Sequence, residues 1–134
     1  MRRPIVALIC LSFLAGAAAW GAELSVESLP PSVIKTVPTC GDTSVDAGTT
    51  TRITATFSKK MAGGTWSWVR MSKESFPETV GKPKYLNDRR TCVINVKIQP
   101  KKTYVIWLNS KKFRNFKDTG GNPAVPYLLV FQTK

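Results

Sequence analysis

A chain of 134 residues, 43% apolar and 21% charged, can close one hydrophobic core but not two with a cleft between them. Its 20 Lys and Arg face 8 Asp and Glu, a formal net charge of +12 that favours anionic partners. Histidine is absent, which removes Ser-His and Cys-His nucleophile pairs, His-ligated zinc and proton transfer by a group titrating near neutrality, so no enzyme is expected.

The chain opens on an export pattern. Arg2 and Arg3 precede an uncharged apolar run from Ile5 to Ala19, and the small residues Ala17 and Ala19 are placed for a cut after Ala19. Cleavage there, with a rival site after Gly21, removes residues 1–19 as a signal peptide. Because Arg2 and Arg3 leave with it, the net charge falls from +12 to +10. The alternative is an uncleaved membrane anchor, since the uncharged stretch reaches Ala22 and approaches the roughly 20 residues of a spanning helix. Cys10 lies inside the run instead of just after it, which argues against lipidation.

Residues 20–31 have no periodicity and end in Pro30-Pro31, as a flexible linker does. A single domain is expected over 32–134. Val33 to Val37 forms the first strand, stopped by Pro38. Arg52 to Ser58 points Ile53, Ala55 and Phe57 to one side, the alternation of a half-buried antiparallel strand. Thr65 to Val69 places Trp66 and Trp68 together, one of them for the core. Lys84 to Leu86 and Thr91 to Gln99 flank the turn-rich Asn87-Asp88-Arg89-Arg90, a hairpin signal. Thr103 to Asn109 carries Tyr104, Ile106 and Leu108 on one face, and Tyr127 to Phe131 follows Pro126. About seven strands without a helix predict an all-β, Ig-like antiparallel sandwich.

Among groups that bear chemistry, Cys92 belongs to the apolar face of its strand and Cys40 to a turn at a distant place in the sandwich, so no disulfide is expected. Asp118 and Asn122 are spaced like calcium ligands, but the remaining carboxylates are missing; turn chemistry is expected there, and Asp42 and Asp46 solvate another bend. No metal, cofactor, catalytic residue or small-molecule substrate is assigned. Binding is the active candidate: Lys111, Lys112, Phe113, Arg114, Phe116 and Lys117 place four positive charges and two rings on the connection between the last two strands, at an end of the sandwich. Its expected partner is an anionic envelope polymer or another envelope protein. The plainer alternative is a solvated loop that Phe113 and Phe116 staple to the core. Trp66, Trp68 and Trp107 add a carbohydrate-platform reading, with Trp107 opposite in face to Tyr104.

Thr36-Val37-Pro38-x-x-Gly41, then Val45, then Ile53 to Met61 resemble the opening of the bacterial Ig-like domain of the surface-layer-protein (SbsA-like) type. Ile98-x-Pro100, Tyr104-x-Ile106, Asp118 to Pro123 and Phe131-Gln132-Thr133 resemble its second half. Cys40, where a small residue is usual, and the long, Pro-containing stretch Glu74 to Tyr85 depart from the pattern. The resemblance implies a secreted, extracytoplasmic and non-catalytic module with a structural or adhesive role at the cell envelope.

Overall fold

Alternating apolar and polar residues drive this chain into strands, and the computed structural model, which describes residues 23–134, contains seven. The export segment, with its cleavage sites and Cys10, lies outside the described residues. In chain order the strands are β1 (Val33–Val37), β2 (Arg52–Phe57), β3 (Trp68–Arg70), β4 (Glu78–Tyr85), β5 (Thr91–Lys97), β6 (Thr103–Leu108) and β7 (Tyr127–Gln132). They make two antiparallel sheets, ordered β1-β2-β5-β4 and β3-β6-β7. That is the strand order of a constant-type immunoglobulin sandwich.

The core follows from register. Pairing of Ile53 with Ile94 and Ala55 with Cys92 puts all four side chains on the inner face of the first sheet. Tyr104, Ile106, Leu108, Leu129 and Phe131 answer from the second, and each of the nine is 4% exposed or less. Full burial of such a side chain contributes about 1.5–3 kcal/mol, so this double layer is the main source of stability. Tyr104, near the start of β6, takes the corner place of such sandwiches: its hydroxyl accepts the Gln99 N–H at 2.8 Å and its ring stacks on Phe131. The β4–β5 hairpin turns where expected. Asp88 accepts the N–H groups of Arg90 and Thr91 and the Thr91 hydroxyl, and these bonds, the hydroxyl first, hold its carboxyl below the usual range.

Two strands differ from their sequence reading. β4 begins at Glu78, well before Lys84, because it is a sheet edge that tolerates what an inner strand does not. Gly81 has φ of 73°, the register with β5 slips between Val80 and Lys84, and Pro83 sits within that slip. β3 begins at Trp68 instead of Thr65, since Ser67 is used otherwise: buried, it accepts the Asn109 N–H on its carbonyl and the Asn115 N–H on its hydroxyl.

Glu23 to Pro30 is exposed, but its end is tied down. Pro31 is buried and its carbonyl accepts the Val125 N–H, while the Lys59 ammonium donates to the carbonyls of Glu27 and Leu29. Beyond β1 the chain crosses to the other sheet and lines the outer edge of β7, with Gly41 donating to Val130 and Gln132 donating to Asp42. Cys40 is therefore exposed beside β7, whereas Cys92 is buried in β5, and both thiols are free.

Candidate functional site

The basic connection starts where β6 stops. Asn109 takes a left-handed backbone (φ 63°), a conformation Asn tolerates better than most residues, and its side chain is fully buried. Its amide donates to the carbonyls of Phe116 and Ala124 and its oxygen accepts the Phe116 N–H, so one side chain closes the loop on itself. Ser110 and Phe113 bond to each other, and Arg114 Nε donates to the Lys111 carbonyl. The tip is thus short and held at both ends.

Lys111, Lys112, Phe113 and Arg114 are exposed together on this tip. Lys112 Nζ lies 5.5 Å from the Phe113 ring, within cation–π range. Among the described residues the one ion pair is Lys59–Asp118, so the cations of the tip have no carboxylate partner. Phe116 requires a correction. It is 0% exposed, packed on Phe57 at 4.9 Å and edge-on to Trp68 at 5.5 Å, and it cannot touch a partner. Its ring belongs to the core because Asn109 fixes its backbone there. Lys117 is half-buried, and its backbone pairs with Pro123.

The sequence reading missed Lys59. Its ammonium meets the Asp118 carboxylate, itself 2% exposed, which also accepts from the Gly120 and Asn122 N–H groups and the Asn122 amide. Burial alone would raise the Asp118 pKa, but Lys59 and Asn122 outweigh it and hold the carboxyl at about 2. With its lone pairs taken in this way, Asp118 is a structural anchor. Asp42 and Asp46 accept N–H groups of Ser44 and Gly48 in local turns. The described residues hold no cluster of metal-ligating side chains.

Two side chains with nucleophilic groups, Cys92 and Ser58, are in structural use. Burial pushes the Cys92 thiol up to about 12, a rise that the neighbouring Trp68 indole opposes only in part; Trp68 Nε1 finds no oxygen or nitrogen acceptor. Ser58 accepts the Ser32 N–H. Beside the tip, Phe113 and Asn115 line a groove with Trp66, Trp68 and Arg70, between β3 and β4. Trp107 is half-buried on the outer face of the second sheet, paired with Val69 and Leu128.

A family model described as a bacterial Ig-like domain matches residues 27–133. The chain belongs to that family. The match takes in the docked end of the segment before β1, from Glu27, as well as all seven strands. A solved structure, that of the S-layer protein rSbsC(31-844), is similar to this bacterial Ig-like domain at 16% identity and a TM-score of 0.51. The similarity covers 81% of this chain and 14% of the S-layer protein, so the domain corresponds in fold to a small part of that chain. No curated protein matches it.

Proposed function

We propose that this bacterial Ig-like domain is an exported, non-catalytic module with a structural or adhesive role at the cell envelope, and that it holds an anionic envelope polymer through the tip Lys111, Lys112, Phe113 and Arg114, with Lys117 at its base. The observation that carries this is a pinned loop whose cations have no carboxylate partner. A flexible charged loop would lose conformational entropy on binding, whereas this one is already ordered. The full-chain charge of +12 adds a long-range attraction of the same sign. Family membership and the interior filled with apolar side chains support a non-catalytic role.

The test is capture of envelope components by the purified exported protein at about 0.1 M and 1 M salt, across which the screening length falls from about 10 Å to about 3 Å. Retention of an anionic polymer at the lower salt and its release at the higher one is expected. Salt-resistant capture of a protein would replace the polymer by a protein partner, and no capture at all would leave an inert spacer. The intact mass of the exported form tests export: loss of residues 1–19 is expected, and a full-length mass in the membrane fraction would support the anchor.

A further inference from the structure

One flank of the sandwich is sealed by its own chain, and the other is open. Between β3 and β4 lies a groove of about 460 Å³ lined by Trp66, Trp68, Phe76, Pro83, Phe113 and Arg70, among others, with no acidic residue. At Arg70 and Phe76 it continues into a cleft of about 340 Å³, where Lys73, Lys97 and Lys102 stand against the single acid Glu78. Register places Arg70 in one row with Ile106 and Leu129 of the inner face, yet Arg70 is exposed, because β3 is an edge and ends there. An aromatic floor thus runs into a cationic one.

Those two chemistries together select an occupant. Half-buried rings offer flat apolar faces, on which a pyranose ring can lay its C–H face while its hydroxyls stay in water. Arg70 and the three lysines then meet anionic substituents, Arg through a planar fork that suits carboxylate or phosphate. An extended acidic peptide fits less well. Strand addition needs a run of free edge N–H and C=O groups; β3 has three residues, and β4 is broken by Gly81, Pro83 and the register slip.

We propose that the β3–β4 groove binds an anionic polysaccharide, with sugar rings on Trp66 and Phe113 and the charged groups of successive sugars at Arg70, Lys73, Lys97 and Lys102. This rests on the reading of the domain as a holder of anionic envelope polymer, and adds the polymer's class and a second contact surface, which meets the tip at Phe113.

The experiment titrates the exported protein, by calorimetry and tryptophan fluorescence, with an oligogalacturonate, a phosphorylated mannan, poly-glutamate and polyphosphate of matched charge. At least one of the two glycans is expected to bind about ten-fold more tightly than poly-glutamate and to change tryptophan emission; which one does so tells carboxylate from phosphate. Trp66→Ala should weaken that glycan about ten-fold and leave polyphosphate unchanged within about two-fold, whereas Arg70→Ala should weaken the glycan about ten-fold and polyphosphate as well. Phe113→Ala, at a 47% exposed side chain, repeats the test without risk to the fold. Poly-glutamate binding as tightly as both glycans, or glycan binding indifferent to all three variants, overturns the groove proposal. If both glycans fail while polyphosphate is still held, the groove proposal falls and polyanion binding by the module stands. If no polyanion is held, both fall.

Discussion

The connection between β6 and β7 has two halves of opposite character. From Ser110 to Asn115 it is polar, cationic and exposed around one outward ring; from Phe116 to Ala124 it carries a buried ring, a buried carboxylate and a buried methyl group. The division is made by Asn109, whose side chain grips both Phe116 and Ala124 and leaves what lies before them to solvent. The difference teaches that the first half can change its charge freely because the second half bears the fold.

The two phenylalanines give the largest contrast. Phe116→Ala should destabilise the domain by about 4 kcal/mol, because a cavity opens between Phe57 and Trp68 that neither sheet can collapse to fill. Phe113→Ala, on the exposed side, should cost less than about 1 kcal/mol. Urea unfolding of both variants measures the difference, and equal costs would erase the boundary between the halves.

Asn109 comes next. Asn109→Ala loses three side-chain hydrogen bonds, strands the buried Phe116 N–H and places Ala in a left-handed backbone, for an expected cost of about 3 kcal/mol. Asn109→Gly loses the same bonds but tolerates φ of 63°, so it should be the milder of the two by about 1 kcal/mol. If the glycine variant were no milder in the same unfolding measurement, backbone conformation would have no part in the grip.

Asp118 sharpens the comparison through pH. Its carboxyl is held at about 2 in the fold against an ordinary 3.8. A folded value below the unfolded one means the stabilisation is whole above about pH 4 and fades as pH falls through 3.8 towards 2, a loss of about 2 kcal/mol. Asp88 titrates in the same direction, so the informative quantity is the difference between wild type and Asp118→Asn. The variant, which leaves the Lys59 ammonium with no carboxylate, should be less stable at pH 6 and approach wild type at pH 2.5, as read from urea midpoints. A constant gap at both pH values would mean that the ion pair is not what holds this half.

Much of the sandwich was legible because its inner strands alternate cleanly. Ile53, Ala55 and Phe57, or Tyr104, Ile106 and Leu108, leave one choice of face, and the structure buries all six. The first part of β4, from Glu78 to Pro83, was not legible, since an edge strand with Gly81 and Pro83 has neither the period nor the composition of a strand. The candidate site was half legible. Lys111 to Arg114 were found from the clustering of charges and rings, but nothing local tells Phe113 from Phe116; the choice is made by Asn109 and by rings on β2 and β3. Asn directly after an apolar strand was the one available sign of a left-handed turn. Lys59 and Asp118 lie 59 residues apart, and no spacing rule joins them.

The smallest effect on stability, and the most informative about function, belongs to the tip. Lys111→Glu with Lys112→Glu should shift stability by no more than about 0.5 kcal/mol, because both side chains are exposed and neither has a carboxylate partner to lose. The same pair of reversals lowers the net charge of the full chain by four units, from +12 to +8, and should weaken retention on an anionic polymer. A control must remove equal charge elsewhere. Lys59 is unsuitable, since reversing it would set a second carboxylate against the buried one of Asp118, but Lys35 on β1 and Lys60 are exposed and lie outside the β6–β7 connection. Lys35→Glu with Lys60→Glu gives the same net charge, so the two double variants differ in place alone. If the tip holds the polymer, its variant elutes at clearly lower salt than the control. Equal losses would assign retention to overall charge, and no loss from either would leave the loop as a solvated cover over the anchored half.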